Sequence, residues 1–217
     1  MNKDGDKTFI YLIRHGECAG NKESRIRGCI DFPLNDNGLM QAHALASALK
    51  DKGIEYIYSS PLSRATTTAK ILGDEIGLPY ETRDGFCNIH IGAWENRIKA
   101  ELAVEQPELW RTWLTQPEEW KLEGAETLDQ VRDRALTDLN KIIEERRGST
   151  IALIAHRGVL KPLIGGALGI RRPSYWRIHF DTASYSLLTF DSIHGYCLMG
   201  LNFIEHLAGL PIVQEFD

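Results

Sequence analysis

The stretch that decides the fold covers residues 9–17, which read FIYLIRHGE. Five consecutive apolar residues followed at once by Arg14 and His15 are typical of a buried strand that ends in polar groups. Ligands of α/β sheets bind outside the carboxyl ends of the strands, so His15 is a candidate for the centre of a functional site. Taken alone, the same residues fit equally well an Arg-His pair that merely ends a strand at the surface.

Size and charge limit the class of protein. With 217 residues, 43% of them hydrophobic and 25% charged, we expect one domain over residues 1–217. The net charge of −5 gives no bulk attraction to nucleic acid or to an acidic membrane, so an anion site has to be local. The polar N-terminus leads into an apolar run too short for a signal sequence or a membrane span. We therefore expect a cytoplasmic protein without nucleic-acid or membrane partners, and a homodimer stays open.

A second strand and its helix bring an arginine to the same edge of the sheet. Residues 54–58 alternate between apolar and polar side chains, which predicts a short strand. Ser60 and Pro61 follow, and they are predicted as the N-cap and the first position of a helix. Arg64 would then project from the first turn of that helix.

A third strand and a closing hairpin complete the predicted sheet. Residues 150–155 form another apolar run, and it ends in His156. Residues 184–190 and 196–202 are predicted to form an antiparallel edge hairpin. Because the other strands alternate with helices, we predict an α/β fold, a three-layer sandwich with a mostly parallel sheet and helices on both faces.

Two helical segments lie between the second and third strands. Residues 97–123 are predicted to be helical and are rich in tryptophan, including Trp110, Trp113 and Trp120. This segment is expected to cover the site, although packing of its aromatic rings onto the sheet fits the sequence as well. Thr127 and Gln130 have the spacing of a capping box, which predicts the start of a helix of about 20 residues.

The strand ends bring together Arg14, His15, Arg64 and His156. Guanidinium groups match the oxygens of a phosphoryl group, and a neutral imidazole can attack phosphorus. The surrounding positive charge should lower the histidine pKa values and keep a nucleophilic nitrogen free near neutral pH. A metal site is the weaker interpretation, because cationic neighbours repel a metal ion and the spacing lacks a ligand motif.

The four cysteines do not change that conclusion. Cys18, Cys29, Cys87 and Cys197 are widely spaced and contain no C-x-x-C pair. Neither a zinc cage nor a disulfide framework is therefore indicated, and we predict neither a metal nor a cofactor.

Several separated motifs resemble one known family. They read LIRHGE at residues 12–17 followed by Asn21, SSPLSRA at 59–65, GAWE at 92–95, GAET at 124–127 and AHRGVL at 155–160. In this order they are similar to the phosphoglycerate mutase-like branch of the histidine phosphatase superfamily, and the resemblance runs from residue 8 to about residue 205.

The resemblance implies a metal-independent phosphatase that hydrolyses a small phosphorylated metabolite in two in-line displacements. It implies that His15 is the nucleophile and becomes phosphohistidine. The residues implied to bind the transferred phosphoryl group are Arg14, Arg64, His156, Asn21 and Arg157, the last through its backbone amide. The substrate itself is not identified by the sequence.

One departure from the family concerns the acid that protonates the leaving group. The position of the usual proton-donating glutamate falls on Asn88, and an amide cannot donate such a proton. Three interpretations stay open. In the first, another carboxylate supplies the proton, and the candidates are Asp84, Glu95 and Glu126. In the second, the substrate has a good leaving group; in the third, the protein binds a phosphorylated ligand and turns it over weakly.

The main alternative within the family is a bisphosphoglycerate-dependent phosphoglycerate mutase. That branch resembles this chain less, because it is longer between the positions of Asn88 and Thr127. The alternative from another class is the weakly active binding protein, which Asn88 motivates. An intact His15 argues for turnover, because a binder needs no nucleophile.

Overall fold

Strands alternate with helices along most of the chain. The computed structural model describes residues 6–211. The strands are β1 (Thr8–Arg14), β2 (Tyr56–Ser59), β3 (Tyr80–Thr82), β4 (Thr150–Ala155), β5 (Tyr185–Asp191) and β6 (Gly195–Phe203). The α-helices are α1 (Ala19–Lys22), α2 (Asp36–Leu49), α3 (Ser63–Ile76), α4 (Lys99–Glu105), α5 (Pro107–Thr115), α6 (Leu128–Glu145) and α7 (Arg157–Ala167).

The six strands form one mixed sheet in the order β3-β2-β4-β1-β5-β6. Pairing is parallel between β3 and β2, between β2 and β4, and between β4 and β1, whereas β5 runs antiparallel to both β1 and β6. The predicted fold class is therefore confirmed, including the antiparallel hairpin at one edge. Strand β3 was not predicted, because it has only three residues and two of them are exposed, which leaves no apolar run to recognise.

Both faces of the central strands are covered by helices. Ile10 and Leu12 of β1 pack in one cluster with α6 and α7, and Tyr11 and Ile13 pack on the opposite face with α2 and α3. Successive side chains of a strand point to opposite faces, so a strand buried on both faces needs an uninterrupted apolar run. This is the physical reason for the run that precedes Arg14.

The start of α3 differs from the prediction. The helix begins at Ser63 with Leu62 as its N-cap, so Ser60 is not the cap and Pro61 precedes the helix. The Ser60 hydroxyl accepts a hydrogen bond from the Leu62 amide in the strand-to-helix turn (3.3 Å). Arg64 still lies in the first turn of α3, as expected.

The helix after Thr127 agrees with the prediction. The Thr127 hydroxyl accepts from the Gln130 amide, and the Gln130 side chain accepts from the Thr127 amide, which forms the predicted capping box. The helix that follows, α6, has 18 residues.

The tryptophan-rich segment forms α4 and α5 and has its own small core. The ring centroid of Trp94 lies 5.7 Å from that of Trp110 and 5.1 Å from that of Trp120, and Trp113 lies 5.3 Å from Trp120. These rings form a cluster separate from the two clusters on the sheet. Between residues 6 and 211, no helix combines the length and the apolar character that crossing a membrane requires.

Candidate functional site

The two histidines meet because their strands are neighbours. In the parallel pairing of β1 with β4, Arg14 lies opposite Ala155, so the next residue of each strand is a histidine. The ring centroids of His15 and His156 are 5.0 Å apart. Their exposed fractions are 2% and 1%, so both imidazoles are buried beneath the carboxyl edge of the sheet.

The hydrogen bonding of His15 identifies its reactive nitrogen. Its Nδ1 lies 2.7 Å from the carbonyl oxygen of Gly16. A carbonyl only accepts, so Nδ1 must carry the hydrogen, and in the neutral ring the lone pair is then on Nε2. The backbone therefore sets the tautomer that a nucleophilic Nε2 requires.

Burial and positive charge keep both histidines neutral. Burial, followed by the charges of Arg64 and Arg14, holds the pKa of His15 well below its usual value, and the bond to the Gly16 carbonyl opposes this shift. The pKa of His156 is lowered in the same way by burial, the charge of Arg64 and the neighbouring His15. The direction expected from the sequence is confirmed, with burial as the larger cause.

The two predicted arginines lie beside the histidines and are held by backbone carbonyls. Nη1 of Arg14 donates to the carbonyl of Phe180 (2.7 Å). Arg64 is fully buried, and its Nη1 and Nη2 donate to the carbonyls of Ile30 (2.8 Å) and Gly28 (3.0 Å). Its Nε has no hydrogen-bond partner among the described residues. Burial lowers the pKa of Arg64 to about 10, so the group is still charged at neutral pH.

A cavity of about 60 Å³ contains both histidines. Its lining also includes four cationic side chains, and no carboxylate is among its described residues. The cations are Arg25, Arg27, Lys99 and Arg157. A larger cavity of about 430 Å³ lies between α6 and α7 and includes neither histidine. Neither described lining includes Arg14 or Arg64. We assign the chemistry to the smaller cavity, because it contains both histidines.

Asn88 lies in this lining, at the doubtful position of the acid. Its Nδ2 donates to the carbonyl of Gly28 (2.9 Å), and its Oδ1 has no hydrogen-bond partner among the described residues. Oδ1 lies over Gly158 at the start of α7, where a Cβ would be only 2.9 Å away from it. The Asn88 amide therefore lies in the cavity with both histidines and has no ionisable proton to donate.

None of the three alternative carboxylates belongs to the cavity lining. Glu126 is paired with Arg134 (2.8 Å), and Glu95 accepts from the amide of Cys29 (3.0 Å). Asp84 lies at an exposed turn before the loop of Asn88. Their positions argue against the first interpretation of the missing acid.

The remaining predicted residues lie at different distances from the chemistry. Arg157 lines the cavity, and its predicted role in binding phosphate through the backbone amide stays a prediction. Asn21 is buried, and its Oδ1 accepts from the amide of Cys18 (3.0 Å), so it caps α1 and is not in the described lining.

Sequence reasoning missed the contribution of Ser60. Its hydroxyl lies 2.7 Å from Nε2 of His156, whereas Nδ1 of His156 has no hydrogen-bond partner among residues 6–211. If the hydroxyl donates to Nε2, the hydrogen of the neutral ring is on Nδ1, which can then donate to a phosphoryl oxygen. The sequence places Ser60 directly after the second strand, where it could contact His156, but the same position also fits a helix N-cap, which is the role predicted for it.

Comparison with known proteins places this geometry in a family. Residues 10–199 match the model of the histidine phosphatase superfamily (branch 1). Phosphoserine phosphatase 1 of Hydrogenobacter thermophilus is 28% identical over 92% of this chain and 94% of its own length. The probable phosphoglycerate mutase GpmB of Yersinia pestis is 32% identical over 96% of this chain and 98% of its own.

The fold agrees with that of a solved relative. The structure of Bacillus stearothermophilus YhfR superposes with a TM-score of 0.87 at 26% identity, covering 92% of this chain and 99% of the other.

Proposed function

The chain belongs to the histidine phosphatase superfamily, whose members named above are phosphatases and mutases, and on this basis we propose that it hydrolyses a small phosphomonoester through phosphohistidine at His15. The observation that carries the proposal is the contact between Nδ1 of His15 and the Gly16 carbonyl. It leaves the Nε2 lone pair available beside two arginines.

The reaction consists of two displacements at phosphorus. In the first, Nε2 of His15 forms a bond to phosphorus while the bond to the ester oxygen breaks, and the leaving oxygen takes a proton from solvent. In the second, water attacks phosphohistidine, the P–N bond breaks, the proton of the attacking water passes to solvent, and phosphate leaves with His15 regenerated. Arg14 and Arg64 neutralise the phosphoryl oxygens, which is the main contribution a protein makes to this transfer. No step requires a metal ion, because the guanidinium groups supply the charge.

The leaving group is the weak point of this site. Asn88 cannot protonate an alkoxide, and the cavity lining contains no described carboxylate to replace it. We therefore propose that the best substrates have leaving groups that need little protonation, such as aryl oxides. Alkyl esters then react at a rate limited by protonation of the leaving oxygen. This is the second of the three interpretations of Asn88.

The charge of the lining favours an anionic substrate body. Arg27 and Lys99 lie in the same lining as the histidines, so they can attract a second anionic group beyond the phosphate, whereas Arg25 is paired with Glu23 (2.6 Å). The cavity is small, which suits a substrate of few atoms. Among alkyl esters, we propose phosphorylated small carboxylic acids as the preferred class, in keeping with a relative named phosphoserine phosphatase.

A matched pair of substrates tests this assignment. Phosphoserine and phosphoethanolamine have the same phosphate ester and differ in the carboxylate. We expect kcat/KM for phosphoserine to be at least about 10-fold higher, because one retained charge-assisted contact is worth about 1.5–3 kcal/mol. Lys99→Met should reduce this ratio and leave p-nitrophenyl phosphate hydrolysis little changed. Equal kcat/KM values for phosphoserine and phosphoethanolamine would refute the proposed substrate class. If neither of these substrates nor any aryl phosphate is hydrolysed, the weakly active binding protein is favoured instead.

The name of the Yersinia relative motivates a second candidate, a phosphoglycerate mutase. In that reaction phosphohistidine transfers its phosphoryl group to a second hydroxyl instead of to water. Incubation with 3-phosphoglycerate and 2,3-bisphosphoglycerate separates the two functions. Formation of 2-phosphoglycerate faster than free phosphate would identify a mutase, whereas free phosphate as the main product supports the phosphatase.

A further inference from the structure

Three metal-ligating side chains lie together next to residues of the cavity lining, because Cys29 follows Gly28 and His90 lies between Ile89 and Ile91. Donor atoms of Cys29, His90 and Glu95 all lie within 4.8 Å of one another. Cys29 is half-buried, and the side chains of Glu95 and His90 are 16% and 55% exposed. The three residues come from two separate segments, so their sequence spacing shows no ligand motif.

The donor set is one sulfur, one imidazole nitrogen and one carboxylate oxygen. These are the three ligand types of zinc, which binds sulfur at about 2.3 Å and nitrogen or oxygen at about 2.0–2.2 Å. Ligand atoms around a tetrahedral zinc ion are then roughly 3–4 Å apart. The observed spacing needs only a small contraction to reach that geometry. Cations that prefer all-oxygen sites, such as Mg²⁺, are a poor match for the thiol.

The backbone holds these donors in place. Oε1 of Glu95 accepts from the amide of Cys29 (3.0 Å) and lies 2.8 Å from Nδ1 of His90. Gly28 has a φ of +51°, and a Cβ at this position would lie 2.5 Å from Oε1 of Glu95. Only glycine therefore allows the carboxylate to approach the segment that carries Cys29.

We propose that Cys29, His90 and Glu95 bind one zinc-like divalent cation. A three-residue set leaves a fourth position in a tetrahedral site. The described residues within that spacing supply three ligands, so water can complete the tetrahedron. The site is distinct from the phosphoryl-transfer centre, and the proposed reaction needs no metal.

The position of Cys29 couples this site to the cavity. Cys29 lies between Gly28 and Ile30, whose carbonyls accept from Arg64 (3.0 and 2.8 Å). Its thiol also donates to the carbonyl of Asn88 (3.3 Å). Drawing Cys29 towards a cation would move groups that position Arg64 and Asn88, and a misplacement of about 1 Å can cost about 10²-fold in rate. Zinc binding should therefore inhibit turnover, a consequence that rests on the proposed function.

Direct binding tests the site without reference to activity. Purified protein, freed of metal, is titrated with Zn²⁺ in competition with a chromophoric chelator, and with Co²⁺ while the thiolate charge-transfer band is recorded. We expect one ion per chain, with affinity at least about 10-fold lower in Cys29→Ser and in His90→Ala. The charge-transfer band should disappear in Cys29→Ser.

Matched controls come from residues far from the cluster in sequence. Cys197→Ser and His43→Ala replace an exposed cysteine and an exposed histidine and should leave zinc affinity unchanged. Circular dichroism and Tm show that each variant is folded. Absence of stoichiometric zinc binding by the wild type, or equal affinity in Cys29→Ser, would overturn the proposal. Because these readouts do not involve turnover, they are informative even if the phosphatase assignment fails.

Inhibition is the second readout. Zinc should lower hydrolysis of p-nitrophenyl phosphate by the wild type, a chelator should restore it, and His90→Ala should be much less sensitive. Equal sensitivity of wild type and His90→Ala, with zinc bound at the site, would show that the proposed coupling is wrong.

Discussion

Restoring an acid at residue 88 should accelerate the hydrolysis of alkyl phosphates. Asn88 is 9% exposed and lines the cavity with His15 and His156, so a carboxyl group there is within reach of a leaving oxygen. In Asn88→Glu the new carboxyl would replace an amide that donates to the Gly28 carbonyl (2.9 Å). Burial and this carbonyl disfavour the ionised form, whereas the cationic side chains of the same lining favour it, so the pH at which the gain is lost measures which effect is larger.

The expected gain follows from what a positioned acid contributes. General acids are worth about 10²–10⁴ in rate, and an acid that has not been tuned should reach the lower end. We expect about a 10²-fold increase in kcat/KM for phosphoserine, or about 2.7 kcal/mol of barrier. For p-nitrophenyl phosphate, whose leaving group needs no proton, we expect little change.

The matched control is Asn88→Gln, which has the length of glutamate and no acid. Steady-state kinetics on both substrates is compared for the two variants across pH. The gain on phosphoserine should be lost as the pH rises through the pKa of the new carboxyl, because the acid must be protonated to act. Equal rates of the glutamate and glutamine variants on phosphoserine, or an equal gain on both substrates, would refute the view that the missing acid limits turnover.

Three further outcomes are expected. Arg64→Lys should lower kcat/KM by about 10²-fold in steady-state kinetics and should lower Tm, because lysine keeps the charge but loses the planar fork that donates to the carbonyls of Ile30 and Gly28 and that is proposed to bind the phosphoryl group; an unchanged kcat/KM would contradict this. Ser60→Ala should lower kcat/KM by about 10-fold, because it removes the hydrogen bond of about 0.5–1.5 kcal/mol that orients His156, and it should also lower Tm, because the Leu62 amide loses its acceptor; an unchanged rate would contradict a role for Ser60. The folded-state pKa values of His15 and His156 are lowered, so below about pH 6.5 the unfolded chain binds more protons than the folded chain. The free energy of unfolding, measured by urea titration, should therefore fall with decreasing pH by up to about 2.7 kcal/mol per pH unit, and by half as much in His156→Asn. A pH-independent stability between about pH 5 and 6.5 would show that the histidines are not buried and neutral.

The positions of residues that directly follow a long apolar run were predictable from the sequence. Strands β1 and β4 are buried on both faces, so their runs are continuous, and the histidines that follow them could be placed at one edge of a parallel sheet. Arg64 could be placed because its helix follows a strand directly. Strand β3 has neither length nor burial, so its sequence contained no comparable signal.

Features that depend on loops could not be predicted in this way. The carbonyls of Gly28 and Ile30 bind Arg64, and this contact joins residues 34 and 36 positions apart. The cluster of Cys29, His90 and Glu95 depends on the same loop and on the close approach allowed by Gly28. Periodicity predicts helices and strands, but it does not specify which loops meet. The contact of Ser60 with His156 was missed for another reason, because the same serine also fits the N-cap position of the helix that follows.

The most direct test of the account is to trap the covalent intermediate. Protein mixed with ³²P-labelled phosphomonoester is quenched in alkali, which preserves phosphohistidine, and the labelled peptide is identified. We predict label on His15 in the wild type, no label in His15→Ala and label at residue 15 in His156→Ala. Substrate turnover by the wild type with no label on His15, or label on His156 instead, would contradict the assignment of His15 as the nucleophile.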